Sequence, residues 1–199
     1  ISPWIQVESL QIAKITEGIV DTEAFLQYSL ENAGVKHLKI RLPENTDIPE
    51  FDGEGIVSFQ RQADKNIWDI ELHSKVFRKY RIRARFRQPI EKNNLVSINS
   101  VVSEGVELQK GYLAIISDDA LQIKVAETKG DISEFDVRKI PTFFNVPYLS
   151  KAVLCFKNVG TDYIVSIDVA KHKTAELLKA QIKNVEFDSI ASKEGRVIT

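Results

Sequence analysis

The stretch from Val76 to Phe86 alternates between apolar and basic side chains, and this alternation limits the possible folds more than any other feature of the sequence. The apolar positions are Tyr80, Ile82, Ala84 and Phe86, and the basic positions, here called the basic row, are Lys79, Arg81, Arg83, Arg85 and Arg87. Successive side chains of a β-strand point to opposite faces, so a period of two predicts a half-buried strand. Similar runs recur along most of the chain, and we therefore expect a protein made mostly of strands.

Turn signals divide the chain into runs of strand length. Roughly a dozen short strands separated by such signals are typical of β-sandwiches. No part of the sequence has the alternating strand and helix pattern of a nucleotide-binding sheet. We expect an all-β, antiparallel β-sandwich fold with two sandwich-like lobes, over residues 1–90 and 91–199, and at most one short helix, near residues 171–179.

Composition adds a few exclusions. The chain has 199 residues, of which 43% are hydrophobic and 28% charged, and its formal net charge is −1. This charge argues against a protein that binds polyanions over its whole surface, although it leaves local patches open. No apolar run approaches the roughly 20 residues that span a bilayer, so we expect no membrane span. The chain contains no methionine, so we expect a fragment of a larger protein, and whether a leader peptide was removed stays open.

The two ends of the chain resemble each other. The matching pairs are Val7-Glu8 with Val185-Glu186, Ile12-Ala13 with Ile190-Ala191 and, after a gap, Glu17-Gly18 with Glu194-Gly195. Either two β-hairpins share common residues by chance, or the chain holds one unit of a repeat and the start of the next. In the second case residues 1–17 are the last strand of a preceding repeat, and residues 183–199 begin the following one.

Several short motifs share a pattern in which a strand ends in Leu-Pro and leads into a hairpin with a glycine turn. The residues are Glu31-Asn32, Leu38 to Glu44, Asp52-Gly53, Tyr163 to Val169, Lys171-His172 and Glu194-Gly195. These motifs resemble the tandem β-sandwich repeats of large uncharacterised bacterial envelope or secreted proteins. The resemblance implies a scaffold or adhesion role outside the cytoplasm, and it implies no catalytic residue.

The basic row is the first candidate binding site. Its side chains stand about 7 Å apart on one strand face, a spacing that suits an acidic glycan or a nucleic-acid backbone. The alternative is a solvated sheet face that a neighbouring strand neutralises. We expect a hairpin in which Glu71 faces Lys79 and Asp69 faces Arg81. A binding site then depends on the three arginines without an assigned partner, Arg83, Arg85 and Arg87. We expect no nucleic-acid partner, because no aromatic residues are interleaved on that face.

The second candidate site is the stretch from Phe143 to Tyr148, here called the aromatic loop. It follows a proline and shows neither a strand nor a helix period. Its rings, Phe143, Phe144 and Tyr148, either form an exposed platform for a carbohydrate or fold onto the core. The sequence alone leaves both alternatives open.

Signals for metal binding and catalysis are weak. The three histidines share no metal-ligand spacing, and the acidic stretch from Asp131 to Asp136 lacks the glycine and terminal glutamate of an EF-hand loop. Cys155 lies in an apolar run, so we expect a buried thiol rather than a nucleophile. No nucleophile elbow and no phosphate-binding glycine loop occurs. We therefore expect no metal and no cofactor.

The sequence thus predicts a non-catalytic structural or interaction module of a larger, repetitive extracytoplasmic protein. Its expected partners are other domains of the same protein, with a glycan or another protein as further candidates. The alternative is a β-sandwich module that binds a carbohydrate or polyanion through Arg83, Arg85 and Arg87 or through the aromatic loop. A hydrolase is a remote alternative, because a pair of catalytic carboxylates leaves no mark in a sequence.

Overall fold

The computed structural model describes residues 2–63, 65–172, 190–191 and 197–198. The strands in these residues are β1 (Trp4–Thr16), β2 (Ile19–Arg41), β3 (Glu50–Asp52), β4 (Ile56–Arg61), β5 (Ile67–Pro89), β6 (Leu95–Asn99), β7 (Val102–Glu104), β8 (Leu108–Ser117), β9 (Leu121–Lys129), β10 (Ile132–Glu134), β11 (Leu154–Asn158), β12 (Ile164–Lys171), β13 (Ile190–Ala191) and β14 (Val197–Ile198). Three short 3-10 helices, Val137–Lys139, Thr142–Phe144 and Pro147–Lys151, are the helical elements of this part of the chain. The all-β class is confirmed.

The main sheet contains nine strands. Along it the order is β10-β11-β8-β1-β2-β5-β3, while β4 also pairs with β5 and β7 with β2. A second sheet has the order β6-β12-β9, and β13 pairs with β14. β1 and β8 are parallel, and the other pairs are antiparallel. None of the described helices is long and apolar enough to cross a membrane.

The long hairpin of β2 and β5 folds back on itself. Phe51 faces Ala84 near one end of β5, yet its ring centroid lies 6.0 Å from that of Trp68 near the other end. A straight strand would separate Ala84 from Trp68 by roughly 50 Å, so β5 must bend. The bend lies near Asn32 on β2 and Arg78 on β5, which have φ of 67° and 65°, and there the register of the pair shifts.

This bend corrects the predicted hairpin around the basic row. Residues 67–89 form one strand, not two strands that face each other, so the predicted pairs of Glu71 with Lys79 and Asp69 with Arg81 are wrong. On β2, His37 lies opposite Glu71 instead. Asparagine and glycine favour both a bend within a strand and a turn between two strands. Only packing between distant residues decides which of these forms here.

Three cores hold the sheets together. The folded-over half of the β2–β5 hairpin covers one face of the main sheet, with Leu26 and Leu38 in one core. The sheet of β6, β12 and β9 packs against another part of the main sheet and forms the second core, which includes Ile167. Residues 135–152, here called the covering segment, lie over part of the opposite face and bury Phe144. The rest of that opposite face stays open to solvent, and the candidate site lies there.

Two buried glutamines fix the connection between β6 and β7. Gln11 on β1 donates to the Asn99 carbonyl over 2.9 Å and accepts from the Val101 backbone amide over 3.1 Å. Gln109 on β8 accepts from the Ser103 amide over 2.8 Å and donates to the Val101 carbonyl over 2.9 Å. Each side-chain amide uses both its donor and its acceptor, so the two glutamines stabilise the connection between β6 and β7. A buried amide without partners would destabilise it.

The predicted lobes share the main sheet. β8 lies beyond residue 90 but pairs with β1 from Gln6 to Ile15, so the predicted boundary does not coincide with a break in the sheet. At the other end of the chain, β13 and β14 pair antiparallel, as β1 and β2 do. The repeat itself stays a prediction. Lys171 ends β12, and residues 173–179 of the predicted helix lie outside the described residues.

Candidate functional site

The basic row lies on one face of β5, as its alternation predicts. The intervening apolar residues are all buried: Tyr80, Ile82, Ala84 and Phe86. The arginines of the row share their face with β2, where Phe25 lies opposite Arg83 and Asp21 opposite Arg87. The sequence therefore predicted the orientation of these side chains correctly.

Carboxylates from β2 and β3 pair with the three arginines that the sequence left without partners. The ion pairs are Arg83 with Asp52 (2.7 Å) and Glu23 (3.8 Å), Arg85 with Glu50 (2.7 Å) and Arg87 with Asp21 (2.6 Å). The neutralisation comes from the strands beside β5 rather than from a hairpin within it, since Glu50 and Asp52 face Arg85 and Arg83 across the β3–β5 ladder. The acidic residues stand two positions apart, as the arginines do: Asp21 and Glu23 on β2, and Glu50 and Asp52 on β3. This shared spacing is the sequence signal that could have predicted the ion pairs.

Arg81 joins the basic row to the aromatic loop. Its guanidinium donates to the Phe143 carbonyl over 3.1 Å and to the Phe144 carbonyl over 2.5 Å. The same group lies 5.0 Å from the ring centroid of Phe25, a distance at which a cation is attracted to an aromatic face. Arg81 thus holds the covering segment against the sheet.

The aromatic loop folds onto the core but keeps two rings partly exposed. Phe144 is 1% exposed, and the Phe143 ring, 45% exposed, lies 4.5 Å from it. Asn145, with φ of 53°, ends the second 3-10 helix and turns the chain. Tyr148 is 38% exposed, and its hydroxyl donates to a carboxylate oxygen of Glu23. Burial and this bond raise the pKa of the Tyr148 hydroxyl.

The remaining candidate groups include Cys155 and Asp136, and the charge of Asp136 acts on the Cys155 thiol. Burial raises the pKa of the Cys155 thiol to about 11, so the thiolate that a nucleophile needs is scarce at neutral pH. The guanidinium of Arg138 holds the pKa of the Asp136 carboxyl at about 2. In the described part of the chain, no group of three or more His, Cys, Asp or Glu residues is arranged to hold a metal ion.

A cleft of about 590 Å³ opens on the part of the sheet that the covering segment leaves free. Its floor is formed by β1, β2 and β5. One wall is the third 3-10 helix, with Tyr148 and Lys151, and the other is the turn at Asp47 and Ile48. Asp47 is fixed to β5, because it exchanges two hydrogen bonds with the Arg87 backbone. The cleft therefore has defined walls on both sides.

The cleft brings together parts of the two sites that the sequence presented as alternatives. Arg85 and Arg87 of the basic row line it together with Tyr148 of the aromatic loop. Arg83 lies beside them on β5, whereas Phe143 and Phe144 do not line the cleft. Sequence reasoning missed the other charged residues that line it: Lys14, Asp21, Glu23, Asp47, Glu50 and Lys151.

The charges in the cleft balance, with four carboxylates and four cationic side chains. Asp21 and Glu50 are paired with arginines, and Glu23 accepts from Tyr148. Neither Lys14 nor Lys151 has a carboxylate within 4.0 Å among residues 2–172 as described. These two lysines are the cationic groups of the cleft that keep their charge available.

Comparison with known proteins adds little. No protein-family model matches the sequence, and a sequence search of curated proteins finds no match. Among solved structures, this chain is similar to part of native leukotriene A4 hydrolase from Saccharomyces cerevisiae, with a TM-score of 0.44 and 11% identity over 83% of this chain and 29% of that chain. For the yeast enzyme with bestatin, the TM-score is 0.43 and the identity 10%, over 81% and 28% of the two chains. This chain thus spans less than a third of the enzyme's length, and similarity at this level carries no argument about activity.

Proposed function

We propose that this chain is a non-catalytic structural or interaction module of a larger extracytoplasmic protein, with other domains of that protein as its partners. The observation that carries the proposal is the use of the basic row inside the molecule. Arg83, Arg85 and Arg87 each pair with a carboxylate of the same chain, and Arg81 binds two backbone carbonyls. Charges engaged in this way hold a fold together and are poorly available to a ligand.

The basic row stabilises neighbouring elements that are too short to be stable by themselves. β3 has three residues, and each 3-10 helix has at most five. Elements this short gain little from their own hydrogen bonds and need contacts from outside. The arginines supply such contacts from β5: Arg83 and Arg85 pair with carboxylates of β3, and Arg81 binds the covering segment. This supports a role in architecture rather than in polyanion binding.

Heparin affinity chromatography tests the proposal. A module whose basic row is neutralised should elute well below physiological salt, and Arg85→Gln and Arg87→Gln should elute with the unaltered protein. Retention that needs higher salt, and that both variants reduce, would overturn the proposal in favour of a polyanion-binding site, since each phosphate or sulfate contact steepens the salt dependence. Turnover of chromogenic glycosides at the cleft would instead favour the hydrolase alternative.

The second candidate is a module that binds a carbohydrate. One observation favours it: Arg85, Arg87 and Tyr148 line a single walled cleft. A concave site with a few convergent polar groups and an aromatic ring is the usual form of a small-ligand site.

A further inference from the structure

We propose that the cleft binds a sugar that carries a single carboxylate, of the uronic acid type, and that Lys14 and Lys151 anchor this carboxylate. The inference rests on the carbohydrate-binding candidate and names its ligand class and its anchoring residues. The module proposal does not depend on it. The argument uses the volume of the cleft, its unpaired charges and its hydrogen-bonding groups.

The volume of the cleft suits a small ligand. At about 590 Å³ it falls within the range of roughly 300–1,000 Å³ that is typical of ligand pockets. The walls at Asp47 and at Tyr148 are both tied to the sheet, so the space is formed before a ligand arrives. A preformed site avoids part of the ordering cost of binding.

The two lysines determine where an anion binds. Lys14 lies on β1, next to Ile116 of β8, and Lys151 ends the third 3-10 helix. Both line the cleft, whereas the arginines of the floor already hold carboxylates. A ligand carboxylate therefore gains most by binding to the lysine ammonium groups, through charge-assisted hydrogen bonds.

The carboxylates of the cleft limit the ligand to few negative charges. Asp21, Glu23, Asp47 and Glu50 all line the cleft. A polyphosphate or a chain of sulfates would place further negative charges beside these four, and like charges in contact are unfavourable. A ligand with one carboxylate and otherwise neutral groups meets the two lysines without this repulsion.

The floor of the cleft suits hydroxyl groups. A carboxylate has about four acceptor sites, and Asp21 and Glu50 each accept one side-chain hydrogen bond, from Arg87 and Arg85. Each ion pair thus presents acceptors beside guanidinium donors, an arrangement that suits vicinal hydroxyls, which both donate and accept. The half-exposed ring of Tyr148 offers an apolar surface to the C–H face of a sugar.

The test is an NMR titration of the full chain with D-glucuronate, D-glucose and acetate. Glucuronate should shift backbone amides around Lys14, Asp21 and Lys151, and it should bind more tightly than glucose, which lacks the carboxylate, and acetate, which lacks the hydroxyls. Lys14→Gln and Lys151→Gln should each weaken glucuronate binding by roughly tenfold, the effect of losing one charge-assisted hydrogen bond. Lys124→Gln, on β9 of the other sheet, is the matched control and should leave the affinity unchanged.

Three results would overturn the inference: no shifts with glucuronate, equal binding of acetate, or unchanged affinity in both lysine variants. The lysines are exposed, so the variants should fold, and an unchanged unfolding midpoint confirms this for each one. If glucuronate fails while heparin elution stays at low salt, the uronic-acid inference fails and the module proposal stands. If heparin binds tightly and the arginine variants release it, the module proposal fails independently of glucuronate.

Discussion

Replacement of Arg81 by alanine should destabilise the fold far more than the same change at Arg85, although both arginines lie on one face of β5. Arg81 donates two hydrogen bonds to backbone carbonyls of the covering segment, over 3.1 and 2.5 Å, and lies above the Phe25 ring. Arg85 makes one ion pair, and its partner Glu50 is largely exposed. The comparison separates a residue that joins two layers from one that pairs on the surface.

The structure gives the size of each effect. A hydrogen bond from a charged group contributes about 1.5–3 kcal/mol and an exposed cation–π contact about 0.5–1 kcal/mol. Because the two bonds of Arg81 share one guanidinium and are partly solvated, we expect Arg81→Ala to cost about 2–4 kcal/mol. An exposed ion pair contributes about 0.2–1 kcal/mol, and Arg85→Ala should cost no more than that. Arg81→Lys, which keeps the charge but not the fork of donors, should fall between the two.

Urea denaturation at low protein concentration measures both variants. The unfolding midpoint should drop and the slope with urea should stay constant, because the variants expose the same surface on unfolding. Equal losses of unfolding free energy for Arg81→Ala and Arg85→Ala would refute the reasoning, since Arg81 would then hold no more of the structure than a surface ion pair does.

Three further predictions concern packing and ionisation. Gly111→Ala should cost about 3 kcal/mol in urea denaturation, because its new Cβ would overlap the Ser9 backbone oxygen across the β1–β8 pair. Gly105→Ala, at φ of 71° with open space around it, should cost only about 1 kcal/mol. An equal effect at both glycines would contradict the close approach of the strands. The Cys155 thiol, buried and with its pKa raised to about 11, should not react with Ellman's reagent at pH 8 until urea unfolds the chain, and rapid labelling of the native protein would show that it is accessible. Burial also raises the pKa of Tyr163. The unfolded chain therefore releases the Cys155 proton from about pH 9 and the Tyr163 proton from about pH 10, before the folded protein does, and the unfolding free energy should fall towards pH 11 by up to about 1.4 kcal/mol per pH unit for each group above its own onset. Stability that stays constant over this range would contradict the burial.

Local patterns in the sequence were sufficient to predict the fold class and the orientation of the basic row. The alternation from Lys79 to Arg87 depends on one strand only, and the structure keeps every side chain of the run on its predicted face. The bend at Asn32 and Arg78 was missed, because the residues that favour a turn also favour a bend. Whether the chain reverses or folds over depends on contacts such as that of Phe51 with Trp68, which no local window contains.

The cleft was missed for the same reason. Its walls come from residues far apart in the chain, such as Glu23 and Tyr148, which are separated by 125 positions. The covering segment reaches the sheet because β10 and β11, the strands on either side of it, extend the sheet from β8. β8 in turn pairs in parallel with β1, and the sequence gives no register for a pair of this kind. Lys14 and Lys151 look like ordinary solvated lysines until the fold places both at one cleft.

Native-state hydrogen exchange of the covering segment tests the central claim, that Arg81 of the basic row holds this segment to the sheet. In the unaltered protein the amides of Asn145 and Ala152 donate within their 3-10 helices and should exchange only when the segment opens. In Arg81→Ala their exchange should rise on the order of tenfold or more, while amides of β1 and β8 keep their protection and Arg85→Ala leaves the segment unchanged. Unchanged exchange of Asn145 and Ala152 in Arg81→Ala would contradict the account.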